Sequence, residues 1–494
     1  MEEMPVPNRT NLLEQVCKER LTQVFSAEAV VPDTMPDAAS VLFADAQVFI
    51  RSASLADGAA TLEGTITGTV VYLPEGTVAP EKMNFTVPVS MSARNERIED
   101  DCRLLFSAAV IGAEARAVNS RKLSFRSEIC ADMTVYRRSG IDLSVDTEAL
   151  PALETLPGEA ELGYITQIGE KTFTVADDLD LSAPIAQLLW YQTQFLPETA
   201  RRVGGKTILQ GVAELQLLYL PPDSDKPCYE CRHVPFSQLI DADGDDETIA
   251  YVEFHPASCF VEIVPGLNRS EAISFEAQLT AQILYTAEKK LSYISDAYSL
   301  RCPVIIKRDR LEACGPFSAV SRKTTVREQL KLPEEPIEIL SVQIAMTPCT
   351  VTDEAVKATA GVCILYRTET ALRALMKKLP VEFPPDETGE CLFAKAVCPE
   401  NFAAIQHDAV LLQFDVELTS LSAQKKTVDY VSAMEAAESV PADAGDRPSL
   451  VAVRAGDRSL WDLAKSYHST VALIRAANRE DQPADSLLLI PRGR

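Results

Sequence analysis

Three stretches of the chain alternate apolar and polar residues with a period of two. Ile273, Phe275, Ala277, Leu279, Ala281, Ile283 and Tyr285 do so without a break. Leu123, Phe125, Ser127, Ile129, Ala131, Met133 and Val135 form an earlier series, and Leu412, Phe414, Val416 and Leu418 a later one. Successive side chains of a strand point to opposite faces, so each series predicts a strand with one buried and one solvated face, as in an antiparallel sheet. A second motif precedes each. Leu209–Tyr219 carries Gly211 and ends on Tyr219, with Val234-Pro235 following; Leu62–Tyr72 and Val87-Pro88 lie 147 residues earlier, and Tyr366 lies 147 residues later, trailed by Leu379-Pro380. Two equal offsets that each bring a tyrosine and an apolar-Pro pair argue for a triplicated unit. No helical pattern of 10–15 residues alternates with these strands, which disfavours a parallel α/β sheet.

Each unit opens on a proline before a short apolar run: Met35-Pro36, Ala183-Pro184 and Glu335-Pro336. The expected organisation is a first repeat over 1–165, a second over 166–318, a third over 319–432 and a linker over 433–448. The linker expectation follows from Ala433–Pro448, which is rich in Ala, Asp, Glu, Ser and Pro with little to bury. Residues 10–30, with Leu12, Leu13, Val16, Leu21 and Val24 among charges, read as a short helix. The repeated tyrosines Tyr72, Tyr219 and Tyr366 read as framework positions.

A different pattern closes the chain, over residues 449–494. Leu450–Val453 and Leu487–Ile490 read as short strands; Leu460, Leu463, Ala464 and Tyr467 fall at helical spacing, and Val471, Leu473 and Ile474 begin a second helix. Asp457 stands where a side-chain cap would satisfy free backbone N–H groups. The fold class is therefore mainly β: three antiparallel, sandwich-like repeats and a small βααβ module.

Charge and cysteine usage narrow the function. The net charge of −25 argues against nucleic-acid binding, which needs a basic face. Residues 447–494 carry eight Lys/Arg and five Asp/Glu, so a basic module ends an acidic chain. Met1-Glu-Glu-Met-Pro-Val-Pro is no signal peptide, and no run reaches the roughly 18 apolar residues of a membrane span. The expectation is a protein kept in the cytosol, where the twelve cysteines stay reduced.

The terminal segment resembles a LysM module through Gly456-Asp457, Leu460-Trp461, Leu463-Ala464-Lys465, Tyr467, Val471, Leu473, Asn478 and Leu489-Ile490-Pro491. The upstream units, with their Pro entry, Gly–Tyr strand and Val-Pro segment, resemble SPOCS domains. Three such domains before one LysM module resemble the SipL-like family of endospore coat morphogenetic proteins. That resemblance implies a partner, the SpoIVA-type coat ATPase, bound largely through the module, and a place at the forespore surface in the mother cell. The chain departs from the LysM pattern where sugars bind. Arg458 and Ser459 replace a single residue, His468 stands for a glycine, and Asp485-Ser486 for Gly-Gln. The core positions Trp461, Leu463, Tyr467 and Ile490 are kept, so the scaffold is retained and the ligand changed. The expected binding loops are Asp457, Arg458, Ser459 and Leu460 on one side, and Arg479, Glu480, Asp481 and Gln482 on the other.

Other constellations carry less chemistry. Gly204-Gly-Lys-Thr207 lacks the earlier glycine of a phosphate loop, since position 200 is Ala, and reads as a turn. Cys228, Cys231 and His233 are three soft donors without the fourth that a structural zinc site needs. Asp241–Glu247 places its glycine too early for a calcium loop. His233, His255, His407 and His468 accompany no nucleophile motif. The expectation is a non-catalytic assembly protein without cofactor or metal: an elongated scaffold with the module free on its linker. The rival is a cell-wall protein binding peptidoglycan or N-acetylglucosamine.

Overall fold

The computed structural model describes residues 9–493 except positions 78, 149, 223, 243–247, 266–270, 370–371, 386–388, 438–448, 455 and 479–486. The first unit runs β1 (Arg9–Val30), β2 (Ala38–Ala56), β3 (Ala59–Pro74), β4 (Glu81–Arg94), β5 (Arg103–Asn119) and β6 (Lys122–Asp142). The second runs β7 (Leu153–Asp180), β8 (Gln187–Arg202), β9 (Lys206–Leu220), β10 (Cys228–Asp241), β11 (Thr248–Pro265) and β12 (Glu271–Ser299). The third runs β13 (Val304–Lys331), β14 (Glu338–Met346), β15 (Thr350–Val351), β16 (Val356–Arg367), β17 (Leu372–Phe383), β18 (Glu390–Gln406) and β19 (Ala409–Ala436). The terminal module is β20 (Leu450–Arg454), α1 (Leu460–Ser466), α2 (Val471–Ala477) and β21 (Leu487–Pro491).

Each unit is a two-layer antiparallel sandwich. The glycine–tyrosine strands β3, β9 and β16 are the central strands of one layer, flanked by β2 and β4, by β8 and β10, and by β14/β15 and β17. The alternating strands β6, β12 and β19 are central in the other, flanked by β1 and β5, β7 and β11, and β13 and β18. Phe125, Phe275 and Phe414 occupy matching positions on these strands, each inside its own unit's core. Burying one such ring contributes about 1.5–3 kcal/mol. In the first unit Gly68 leaves room for one: a Cβ there would lie 2.4 Å from Phe125. Tyr72, Tyr219 and Tyr366 are fully buried framework residues, and Tyr72 donates to the Pro36 carbonyl of the entry segment.

Gly64 and Gly211 sit at a second close approach. A Cβ on Gly64 would lie 2.0 Å from the Phe49 carbonyl oxygen, and one on Gly211 would lie 2.8 Å from that of Leu196. Both face irregularities in the neighbouring strand, between Ile50 and Ser52 in β2 and between Pro197 and Thr199 in β8. The third unit has Ala358 at this position, and there the neighbouring strand is interrupted: β14 ends at Met346 and β15 resumes at Thr350.

Residues 9–30 form β1, not a helix. A bulge between Gln15 and Cys17 switches the strand's buried face: Leu13 packs into the cluster between units, whereas Val16, Leu21 and Phe25 pack on the unit's own core, so the buried positions fall at spacings that mimic a helical face. The repeat boundaries also move. The divisions expected at 165 and 318 fall inside β7 and β13, which pair along their lengths from Leu153↔Ser299 and Val304↔Ala436. β19 continues through Ala436, into the segment expected to be linker. These opening strands carry many charges on one face, which hid them beside the cleaner central strands.

The units close on one another rather than extending. β7 pairs with β1 at Ile165 and with β13 at Gly163, joining the three larger layers into one nine-stranded sheet. Two apolar clusters draw on all three units. One contains Leu13, Leu105, Tyr136, Leu284 and Leu421. The other contains Phe43, Val71, Trp190, Leu218 and Leu365. Bulges between Val41 and Phe43, Leu188 and Trp190, and Ile339 and Ser341 put Phe43, Trp190 and Ser341 at matching positions. Phe43 meets Trp190 edge-on, with ring centroids 6.2 Å apart. Ser341 contributes only a buried hydroxyl without a hydrogen-bond partner.

Candidate functional site

The terminal module has its own small core. Leu463, Ala464, Ile474 and Ile490 are buried, and Val453, Trp461, Tyr467 and Val471 pack against them. β20 and β21 pair antiparallel from Leu450↔Pro491 to Arg454↔Leu487. The Asn478 side chain donates to the Ile474 and Leu489 carbonyls and accepts from the Leu489 N–H, which fastens α2 to β21. The cap of α1 is Ser459 and not Asp457: Ser459 Oγ accepts from the Asp462 N–H, and Asp462 reaches back to the Ser459 N–H. Such a reciprocal box satisfies two otherwise free donors. His468 has a left-handed φ of 51°, and the Ser469 N–H bonds to the Ala464 carbonyl. That is a helix C-terminus of the kind that favours glycine, which explains the glycine usual at this place.

The module is docked, and on the second unit. Trp461 Nε1 donates to Asp296 Oδ2 at 2.8 Å, and Lys465 Nζ reaches the same oxygen at 2.7 Å. Arg308 Nη2 contacts Asp296 Oδ1 at 2.7 Å. The Trp461 and Tyr298 rings meet edge-on at 4.9 Å, and Tyr298 Oη donates to the Ser469 carbonyl at 2.7 Å. A bulge between Ile294 and Asp296 in β12 sets Asp296 in place. Burial pushes the Asp296 carboxyl up, but the bonds from Lys465 and Trp461 outweigh it and hold the carboxyl below its usual range. Burial, with Glu154 and Asp296 nearby, pushes the Tyr298 phenol up to about 12, so it stays a donor. Trp461 thus joins the module core to the second unit. Asp296 and Tyr298 carry no sequence signal for this role; each is one residue in a long strand, some 160 positions from its partner.

Of the expected binding residues, Asp457, Arg458, Ser459 and Leu460 stand together on the turn between β20 and α1, the first three exposed and Leu460 half-buried. Arg458 donates to the Arg454 carbonyl. Arg479, Glu480, Asp481 and Gln482 lie outside the described residues. The outer face of the two-stranded sheet went unnoticed in the sequence. Leu450, Leu487 and Leu489 are exposed on it, with Arg454 opposite Leu487 and Ala452 opposite Leu489. Leu473 on α2 is also exposed.

An open cleft of about 940 Å³ lies where the three units meet. Its chemistry is that of a joint. Arg20 pairs with Asp132 at 2.6 Å and reaches the Cys349 carbonyl at 2.7 Å; Lys395 pairs with Glu253 at 2.8 Å; Tyr251 donates to Glu253. Behind it, Gln282 accepts from the Phe106 N–H and donates to the Leu104 carbonyl, and its side-chain oxygen lies 3.2 Å from His255 Nε2. Burial pushes the His255 imidazole down to about 4, leaving it neutral. The contacts that cross between units are Arg20 to the Cys349 carbonyl, Lys395 to Glu253, and Gln282 to the backbone of Leu104 and Phe106. The expected turn at Gly204-Gly205 is present, both glycines having positive φ. No helix among the described residues is long and apolar enough to cross a membrane.

Compared with protein-family models, curated proteins and solved structures, the chain matches none.

Proposed function

We propose that this chain is a non-catalytic scaffold of endospore coat assembly, acting in the mother cell at the forespore surface. Its terminal module is the adaptor for the SpoIVA-type coat ATPase. The observation that carries the reading is the orientation of the module. Its tryptophan, the natural stacking platform for a sugar, is committed to Asp296 and Tyr298. What it presents to solvent is the turn Asp457–Ser459 and an apolar sheet face of Leu450, Leu487 and Leu489 beside Arg454. Apolar patches rimmed by polar groups fit protein partners, and the module's positive balance suits an acidic one.

The closed body supports the same role. A shared nine-stranded sheet, two apolar clusters and the Lys395–Glu253 pair join the three sandwiches into one platform from which the module presents its face. Fixing that face beforehand removes ordering cost from the binding step. The test is recruitment in sporulating cells: a fluorescent fusion lacking residues 449–494 is expected to lose the forespore surface. Unchanged recruitment of that truncation would contradict the adaptor role.

A further inference from the structure

We propose a transition-metal site on the outer face of the β8-β9-β10 sheet, formed by Glu214, Cys231 and His233 and suited to zinc. The sequence places Cys228, Cys231 and His233 close together, but Cys228 is three residues from Cys231. On a strand, that odd spacing sends it to the opposite face, and there Cys228 packs against the sandwich core. Strand pairing replaces it. His233 lies directly opposite Glu214, and Cys231 opposite Gln216. Glu214, Cys231 and His233 therefore share one face, and their ligand atoms all lie within 4.8 Å of one another. His233 Nε2 is 3.5 Å from Glu214 Oε2, close to the edge of a tetrahedron with metal–ligand bonds of about 2.0–2.3 Å.

The surroundings are those of a supported site. Gln216 Nε2 donates to Glu214 Oε1 at 2.7 Å, which fixes the carboxylate and leaves its other oxygen toward His233. Outer groups of this kind orient metal ligands. Gln216 Oε1 is buried without a hydrogen-bond partner, and a water completing the tetrahedron would satisfy it. One thiolate, one imidazole and one carboxylate with an open fourth position is a donor set that zinc accepts. The bound ion would clamp the edge strand β10 to β9 and stabilise the second unit by mass action.

The test uses the full chain, stripped with a chelator and titrated with zinc against a chromophoric competitor, with cobalt(II) as the optical probe. The expected result is one equivalent of zinc and a thiolate-to-cobalt charge-transfer band. Cys231→Ser abolishes the band, Cys228→Ser leaves it, and Gln216→Ala weakens binding about tenfold or more. Zinc should also raise the melting temperature of the wild-type chain and of Cys228→Ser, but not of Cys231→Ser. Absence of stoichiometric binding, or a band that survives Cys231→Ser, would overturn the proposal.

Discussion

Trp461 Nε1 donates to Asp296 Oδ2 at 2.8 Å, across the boundary between the terminal module and the second unit. Asp296 also receives Lys465 and Arg308, so a single carboxylate gathers the polar contacts of the docked helix. Replacing it with alanine leaves the Trp461 N–H and the Lys465 ammonium without their acceptor. A hydrogen bond to a charged group contributes about 1.5–3 kcal/mol, so Asp296→Ala is expected to release the module. The chain has two tryptophans, and Trp190 is fully buried elsewhere. The variant should therefore show a red-shifted Trp461 component in its emission. The pH dependence has a definite sign. The folded carboxyl is held below its ordinary value of 3.8, so its contribution is present above that value and lost as pH falls through the lowered one. Docking followed by emission should hold to about pH 4 and fail only below it.

The joint between the first and second units titrates the other way. Trp190 Nε1 donates to Asp45 Oδ2 at 2.9 Å. Burial pushes the Asp45 carboxyl up to about 6, against the opposing bonds from Trp190 and the Ala46 N–H. A raised folded value means that this group's contribution is present below its unfolded value and lost as pH rises through about 6. Asp45→Asn keeps the acceptor for Trp190 and removes the charge. It should be more stable than the wild type by about 3 kcal/mol near neutral pH. Urea denaturation at successive pH values should show the gap closing toward about pH 4.

Gly64 tests the close approach that marks the repeated strand. A Cβ there meets the Phe49 carbonyl at 2.0 Å, so Gly64→Ala must push apart β2 and β3 or distort the bulge. Overpacking of this kind costs about 1–3 kcal/mol. The reciprocal change, Ala358→Gly, meets no such demand because the adjacent strand is already broken between Met346 and Thr350. Thermal melts of the pair should show a clear loss for the first and at most about 1 kcal/mol for the second, the ordinary cost of an added glycine.

The parts of the fold readable from sequence are those set by short-range pattern. Phe275 and its alternating neighbours declare a strand, and Tyr72, Tyr219 and Tyr366 declare a repeat and are buried as expected. So is most of the module's core, with Leu463 and Ile490 inside. What stayed hidden is set by register and by contacts between distant segments. The bulge at Gln15 made β1 resemble a helix. The bulge before Trp190 sets that ring at the meeting point of two units. Trp461 reads as core first, with sugar stacking as the alternative, and its contacts with Asp296 and Tyr298 have no signal in the sequence. Glu214 joins Cys231 and His233 only because β9 and β10 pair in one register. The docked module also replaces the expectation of one swinging free.

The most direct measurement of the account is a two-arm sedimentation assay with the full chain, using assembled SpoIVA-type ATPase in one arm and purified peptidoglycan sacculi in the other. The predicted result is sedimentation with the ATPase, lost when Leu487 and Leu489 on the module's exposed sheet face are changed to aspartate, and no sedimentation with sacculi. Sedimentation with sacculi, or ATPase binding that survives the double substitution, would contradict it.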